Sequence, residues 1–451
     1  MPEIVKVKCP ENELFRNGNQ VVERFRENGF RAYFVGGAVR DLLLNRLPGD
    51  IDLVTEALPQ DVLRIFPDSE LVGVSFGVTL VKYAGMTFEV ATCREERLYM
   101  DGRRPEEVRF TRDFELDLRR RDFTVNAMLY DPLRGEVLDF NGGLADLQQK
   151  IIRVVGVPEE RFREDYLRMF RAVRFAAKLG FDLDGSAAEA IRQMNHLCAD
   201  LAPERVRQEL ELMLCGEAPA EALRLLKFLG LLAVWLPEVD SLAGVEQHKL
   251  YHPEGDVWQH TLLMFEKLNR TADAALAWSV LLHDIGKVPT FSRDSEMIPH
   301  FYCHEAVGAD MAREVAGRLR FSGELTESVC HAVRNHMRFA SVREMRPAKL
   351  RRLLAGKYFD MELELHRLDC LCSNNLMDTF NFLQQQRELL AASVELPVPL
   401  VSGSDLIALG FKPGPKFKPM LETIMDAQLE NKFADKASAV EFVKNTFGSG
   451  N

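Results

Sequence analysis

The chain has 451 residues, 47% of them hydrophobic and 28% charged, with a formal net charge of −11. That length exceeds what one hydrophobic core sustains, so several domains are expected, and the composition excludes a disordered or fibrous chain. No apolar run approaches the ~18 residues of a membrane span, and the first residues, MPEIVKVKCPENELF, lack a signal core; a cytoplasmic protein with no membrane partner is expected. Eight cysteines without CxxC pairs read as reduced thiols, and the Cys370/Cys372 pair alone is a weak metal signal. A generic nucleic-acid binder would be basic, so any RNA surface here must be local. The most basic stretches are Arg119–Arg121 and residues 161–178, the latter with six Arg or Lys against two acids.

In chain order, residues 20–29 have the periodicity of an amphipathic helix. Ala32–Val35 is a short apolar strand, and Gly36-Gly37 turns it into a helix near Val39–Asn45. Ile51–Val54 reads as a second strand and Gln60–Ile65 as a helix. Val78–Tyr83 and Thr87–Ala91 alternate as a hairpin around Ala84-Gly85. Residues 94–112, highly charged and carrying DG and RRP, read as a long mobile loop. The mixed region closes near 155. Helical periodicity then covers 164–179, 186–196, 203–214 and 218–229. A His-rich, all-helical block follows from about 246 to 380, and the tail, 381–451, places helices around GFKPGPKFKP.

The first chemical signal is GGAVRDLLLNRLPGDIDLV, residues 36–54. Residues two apart on a strand face the same side, so Asp50 and Asp52 project together. Two such carboxylates repel unless a cation sits between them, and Mg²⁺ uses carboxylates together with substrate phosphates. Metal ions so held activate an attacking hydroxyl and stabilise a leaving pyrophosphate. Gly36 and Gly37 let backbone N–H groups approach phosphate at a helix start, and Arg40 offers a charge-assisted contact to a triphosphate. Glu89, in FEVAT on a neighbouring strand, is a candidate third carboxylate.

GGAVRD with GDID, then RRDFTVNA, then EDYLRMFRAVRF resembles the class II tRNA nucleotidyltransferases, the CCA-adding enzymes and their bacterial poly(A) polymerase relatives. The match runs in order over roughly the first 230 residues and returns in the tail. The resemblance implies an α+β fold: a nucleotidyltransferase (polymerase β-like) palm head followed by all-helical neck, body and tail. It implies untemplated addition of nucleotides from CTP and ATP to the 3′ end of tRNA, with Asp50 and Asp52 as Mg²⁺ ligands. Arg120, Arg121, Asp122 and Asn126 then lie near the nucleotide sugar and triphosphate, Asp122 accepting from a ribose 2′-OH. Arg171 and Arg174 on the neck helix add positive charge. Asp139 and Asp146, in DFNGGLAD, match the head–neck join and read as structural.

EDxxR suggests how C and A are chosen without a template. Asp165 and Arg168, three apart, would share a helix face. A carboxylate only accepts and a guanidinium only donates. Cytosine and adenine each present an amine beside a ring acceptor, which this pair matches; uracil and guanine present the opposite polarity and leave buried groups unpaired. The loop YMDGRRPEEV resembles the one that family members need for the final A, which argues against a CC-only enzyme but leaves full CCA and A-only addition open. Poly(A) polymerases of the family carry an Arg-rich segment where this chain has LVGVSFGVTLV, and that reading stays as the alternative.

VWQHTLLMF, LLHDIGK, HFYCHEAVG, RNHMRF and HRLDC resemble the HD phosphohydrolase superfamily. The resemblance implies that His260, His283, Asp284 and Asp369 ligate a divalent ion, with His304 and His336 at a second metal position or on phosphate. Imidazole and carboxylate together suit Mn²⁺, Ni²⁺, Zn²⁺ or Fe²⁺. A further alternative follows, an HD metal phosphohydrolase whose head only recognises RNA. Lys412, Lys416 and Lys418 in the tail suit a folded RNA backbone. The expected domains are the head at 1–155, neck and body at 156–245, HD domain at 246–380 and tail at 381–451.

Overall fold

The computed structural model describes residues 1–72, 77–99, 105–248, 252–391, 398–430 and 432–448. Two compact units form, Met1–Asp240 and Ser241–Asn451. Among the described residues no helix is long and apolar enough to cross a membrane, and all eight cysteines are free.

The first unit is built on one sheet. Its strands are β1 (Glu3–Lys6), β2 (Ala32–Val35), β3 (Asp52–Thr55), β4 (Glu70–Val72), β5 (Val78–Tyr83), β6 (Met86–Thr92), β9 (Met128–Asp131) and β10 (Glu136–Asp139), with the separate pair β7 (Arg94–Tyr99) and β8 (Pro105–Phe110) between them in sequence. The order across the sheet is β1-β10-β9-β2-β3-β6-β5-β4. Only β3 and β6 run parallel within it. Helices α1 (Glu13–Glu27), α2 (Gly37–Leu43), α3 (Pro59–Ile65), α4 (Phe114–Arg119) and α5 (Gly143–Gln149) accompany the sheet. Asn12 starts α1 by accepting from Phe15 N–H at 2.9 Å, and Phe15, Val21, Val22 and Phe25 form its buried stripe. Val35, Val54, Phe114, Leu118 and Leu129 fill a core on the face that carries Tyr33 and Leu138.

Residues 94–112 are a correction to the sequence reading: β7 and β8 pair antiparallel, Arg94 opposite Phe110 and Glu95 opposite Arg109. The charge density that argued for a loop is compatible with a ladder, because Glu95 stands across from the opposite charge of Arg109. The segment 100–104 at the centre of YMDGRRPEEV lies outside the described residues, as do 73–76 of LVGVSFGVTLV.

The helices then run α6 (Pro158–Glu164), α7 (Leu167–Leu179), α8 (Gly185–Met194), α9 (Pro203–Leu214), α10 (Pro219–Phe228), α11 (Leu231–Trp235) and α12 (Pro237–Asp240), with a short parallel pair β11 (Ile151–Ile152) and β12 (Asp182–Leu183). Helix α7 buries Met169, Phe170, Ala172, Val173, Ala176 and Leu179. Its apolar content makes it the central neck helix, and its arginines line the remaining face.

The second unit holds α13 (Val257–Lys267), α14 (Ala274–Leu282), α15 (Lys287–Thr290), α16 (His304–Arg318), α17 (Gly323–Asn335), α18 (Pro347–Leu354), α19 (Phe359–Cys372), α20 (Asp378–Ala391), α21 (Gly403–Ala408), α22 (Phe417–Leu429) and α23 (Lys436–Phe447). It is not all-helical: β13 (Phe291–Arg293) and β14 (Pro299–Phe301) form a hairpin, where polar residues Ser292 to Glu296 interrupt the helical pattern. Helix α14, AALAWSVLL, is apolar all round and buried from Leu276 to Leu282, as expected of a core helix. Around GFKPGPKFKP, Leu406, Met420, Ile424, Phe433 and Val443 make a separate tail core.

Candidate active site and metal centre

In the head, β2 delivers the glycine turn and β3 the carboxylate beside it. Val35 pairs with Asp52, and Gly36 follows with φ +74°, a conformation that side-chain-bearing residues rarely adopt. A Cβ placed on Gly36 would lie 3.7 Å from Asp52 Oδ2 and 3.9 Å from Arg121 Nη1. Backbone, carboxylate and guanidinium therefore converge on one spot. Leu53 pairs with Val90 in parallel register, which sets Glu89 beside Asp52 one step earlier. Asp50 is exposed and sits just outside β3, which begins at Asp52; the expected strand holds only the second aspartate, because ladder pairing starts after Pro48-Gly49.

Asp52 is half-buried, and burial, Glu89 and Asp50 together push its carboxyl up to about 6, against the opposing pull of Arg121. A carboxyl raised by burial and by two neighbouring carboxylates marks a set that a cation would stabilise. The donor chemistry, oxygen ligands next to a glycine turn, fits a hard divalent ion such as Mg²⁺.

Several predicted phosphate ligands are already engaged. Arg40 is 3% exposed; its guanidinium donates to Asn126 Oδ1 and Asp41 Oδ1, both at 2.8 Å, and stacks over Phe175. It braces α2 against Asn126 instead of reaching into solvent, a correction that follows from its burial. Arg120 and Arg121 both bind the buried Asp117, at 2.7 and 3.1 Å. The i, i+3 and i, i+4 spacing of FELDLRRR carried that signal, and the sequence reading missed Asp117. Asp122 accepts from Arg171 Nε at 3.0 Å and Nη2 at 2.5 Å, and from Phe123 N–H at 2.8 Å. Burial pushes the Asp122 carboxyl up, but the Arg171 charge and hydrogen bonds outweigh it and hold it below the usual range. Arg174 is bound to Glu209 of α9 at 2.6 Å. Asp139 caps Asn141 and Leu144 backbone N–H groups and Asp146 accepts from Thr124 and Arg153, both structural roles.

Asp165 and Arg168 do not share a helix face. Helix α6 ends at Glu164, Asp165 is extended at φ −150°, ψ 105°, and α7 begins at Leu167. Arg168 donates to Glu164 at 2.6 Å and to the carbonyls of Arg161 and Arg120 at 2.7 and 3.2 Å. Asp165 accepts from Arg205 Nη2 at 2.9 Å instead. Arg168 and Arg161 both donate to the carbonyl of Arg120, in the RRDFTVNA segment, so α6 and α7 hold that segment through their own arginines.

The second unit gathers every predicted histidine. His260 comes from α13, His283 and Asp284 from the end of α14, His304 from the start of α16, His336 from just after α17 and Asp369 from α19. Gly286 permits this: a Cβ there would fall 2.1 Å from His304 O and 2.6 Å from Gly308 N, so only glycine lets the turn after Asp284 press against α16.

The hydrogen-bond pattern fixes the tautomers. Nδ1 of His283, His304 and His336 lies 2.9, 2.9 and 2.7 Å from the carbonyls of Val280, Phe301 and Val333. A carbonyl only accepts, so each Nδ1 carries a proton, and in the neutral imidazole that leaves each Nε2 lone pair available to a metal. Those lone pairs meet acceptors: His304 Nε2 and His336 Nε2 are 3.1 Å apart, and His283 Nε2 is 3.2 Å from Asp284 Oδ2. His260 Nε2, His283 Nε2 and Asp284 Oδ2 are buried without a hydrogen-bond partner. Lys287 Nζ lies 2.7 Å from that oxygen, off the direction of a hydrogen bond. Ligand atoms of His260, His283 and Asp284, and of Asp284, His304 and His336, fall within 4.8 Å of one another. Lone pairs converging in a buried site answer a cation, and this nitrogen–oxygen set fits a divalent transition metal.

His260 differs. Its Nδ1 donates to Glu254 Oε1 at 2.7 Å while Nε2 lies 3.1 Å from Asp369 Oδ1. Burial lowers its pKa, yet Asp369 and Glu254 outweigh this and raise it to about 9. His336 is pushed down to about 4 by burial and by His283. Glu254, in HPEGD, and Lys287, in HDIGK, were not singled out from sequence, although both stand beside ligands that were.

Known proteins match in the same places. Residues 32–153 match the Poly A polymerase head domain, 180–242 the Probable RNA and SrmB- binding site of polymerase A and 252–363 the HD domain. The CCA-adding enzyme of Anoxybacillus flavithermus is 46% identical over 228 residues, 51% of this chain and 57% of that protein. The first of these relatives are thus matched over little more than half their length. A Geobacillus sp. (strain WCH70) CCA-adding enzyme is 37% identical over 332 residues, 70% of this chain and 80% of that protein. The crystal structure of Bacillus stearothermophilus CCA-adding enzyme in complex with CTP aligns over 96% of this chain and 98% of that one, at 28% identity and a TM-score of 0.71. The Thermotoga maritima CCA-adding enzyme complexed with tRNA_CCA shares the fold, with a TM-score of 0.60 at 21% identity over 99% of this chain and 100% of that one. With a sheet-based head, a helical neck and a relative matched over four fifths of its length, the chain belongs to the class II tRNA nucleotidyltransferase family.

Proposed function

We propose that this protein adds CCA, or its terminal A, to the 3′ end of tRNA from CTP and ATP without a template. The observation that carries the reading is the convergence of Gly36, Asp52 and Arg121 beside Asp50 and Glu89. Relatives named CCA-adding enzymes, and a similar structure holding CTP, support the choice of substrates. We divide the chain into head (1–155), neck and body (156–245), HD domain (246–380) and tail (381–451). We propose the cytoplasm as the place of this work.

Asp50 and Asp52, with Glu89, hold Mg²⁺, which when bound supplies the positive charge that lowers repulsion between the RNA 3′-OH and the α-phosphate. Gly36 and Gly37 admit the triphosphate close to the backbone, and Arg121 faces it from across the turn. Asn126, buttressed by Arg40, and Asp122, buttressed by Arg171, meet the sugar. Asp165 accepts from the exocyclic amine of C or A and Arg168 donates to the ring nitrogen, from a junction between two helices. Lys412, Lys416 and Lys418 take RNA phosphates in the tail.

The test is incubation with Mg²⁺ and CTP, ATP or both, using tRNA ending before CCA, tRNA ending in CC, and an unrelated RNA. CCA on the shortest tRNA supports the full enzyme, and A alone on tRNA-CC supports the A-adding form. Long A tails on any RNA would replace this reading with poly(A) polymerase, and absence of incorporation would refute it.

The histidine cluster favours a second activity, metal-dependent hydrolysis of a 2′,3′-cyclic or terminal phosphate on RNA. His260, His283, Asp284 and Asp369 hold the ion, of Mn²⁺, Ni²⁺, Zn²⁺ or Fe²⁺ type, and His304 and His336 complete the site. Asp284→Ala should abolish hydrolysis and bound transition metal together while nucleotide addition persists. Hydrolysis that survives this change would refute the assignment.

A further inference from the structure

A row of alternating cations and aromatic rings leaves the histidine centre and ends in solvent. It starts at Asp284, whose Oδ2 lies 2.7 Å from Lys287 Nζ. Lys287 is buried and donates to Gln247 Oε1 at 2.7 Å. Its ammonium sits 5.5 Å from the ring centre of Phe301. Phe301 on β14 stands opposite Phe291 on β13, with ring centroids 5.8 Å apart. Arg293, two residues along β13 and so on the same face, carries its guanidinium 5.5 Å from the Phe291 ring centre. Its partner Glu246, at 2.6 Å, has a side chain 69% exposed; so solvated a pair contributes little, and a phosphate can take the place of Glu246. Phe291 is 40% exposed, a large ring that core packing leaves facing water. His300 and Tyr302 stack on each other at 5.3 Å and, by strand alternation, occupy the opposite face of the hairpin.

We propose that the β13–β14 hairpin docks the last nucleotides of an RNA strand for the histidine centre. The inference rests on the hydrolytic reading of that centre given above. A single strand presents phosphate, base and phosphate in turn, and the row presents cation, ring and cation. The terminal phosphate enters beside Lys287, the last base stacks on the exposed ring of Phe291, and Arg293 takes the next phosphate upstream. Every base has a π face, so stacking tolerates any sequence. The hairpin therefore selects a nucleotide over a small phosphate ester without reading which base it carries.

The test uses the full chain with Mn²⁺ and three substrates: a dinucleotide ending in a 2′,3′-cyclic phosphate, cytidine 2′,3′-cyclic phosphate, and the base-free ribose 2,3-cyclic phosphate. Phe291→Leu keeps apolar bulk but no ring. It is expected to raise KM for both nucleotides about tenfold, with kcat and the base-free ester unchanged, and Phe291→Tyr should keep the wild-type KM. Arg293→Gln should abolish the KM advantage of the dinucleotide over the mononucleotide. Tyr302→Ala, on the other face, should change none of these. Binding is read apart from turnover by the quenching of 2-aminopurine, placed as the last base of a dinucleotide with a 3′-phosphate. That quenching should weaken in Phe291→Leu and persist in Tyr302→Ala. An equal loss on the base-free ester, or quenching unchanged in Phe291→Leu, would overturn the proposal. If the wild-type chain hydrolyses none of the three substrates, the hydrolytic reading fails on its own, and the dependence of quenching on Phe291 still decides the docking.

Discussion

Asp52 concentrates the electrostatic conflict of the head. Its carboxyl is raised to about 6 by burial and by Glu89 and Asp50, so the folded chain binds this proton more readily than the unfolded chain does. The stabilising contribution is complete below the ordinary carboxylate range and is lost as pH rises through about 6. Asp52→Asn removes the penalty. In magnesium-free buffer above pH 6, it should unfold at higher urea than wild type, by on the order of 1–2 kcal/mol, while losing nucleotide addition. A lower urea midpoint would contradict this account. For the wild-type chain, addition should decline as pH falls through about 6, and the decline should move to lower pH as Mg²⁺ is raised, because cation and proton compete for the same carboxylates.

Helix α7 is where residue chemistry becomes architecture. Its Arg171 neutralises Asp122, whose side chain is 11% exposed. Arg171→Ala should destabilise the protein by about 2–3 kcal/mol at pH 7, less than for a fully buried pair because Arg171 is partly solvated. Asp122 is held below the usual range, so the pair's stabilisation is present above that range and is lost as pH falls through the depressed value. Denaturation of wild type and variant should therefore converge in acid. The ends of α7 also show what was legible in the chain. Apolar spacing predicted a helix over 164–179, and Leu167–Leu179 is helical, but the break at Asp165 was not foreseen. Local periodicity does not reveal that Asp165 pairs with Arg205, distant in sequence. The same limit explains Arg40: its motif was readable, its burial beneath Asn126 and Phe175 was not. That the head carboxylates and the histidines would lie in clusters was readable, because their residue types recur at close spacing in short motifs. Glu254 and Asp117, which only support such groups, left weaker traces.

At the scale of the molecule, an acidic chain with net charge −11 can take up the proposed RNA only through local basic surfaces. Exchanging Lys412, Lys416 and Lys418 together for Ala should weaken tRNA binding and flatten its dependence on salt, the log–log slope falling by up to about one for each phosphate no longer neutralised. An unchanged slope would remove these lysines from the interface. The histidine centre has a different consequence for the second unit. Its ligands are drawn from residues 260 to 369, so an ion there ties together segments far apart along the chain. Held only by the folded site, the ion would stabilise that fold by mass action, by about 2.7 kcal/mol at a free concentration one hundred times its Kd. The helices that supply the ligands would then share one stabilisation, even in a variant that hydrolyses nothing.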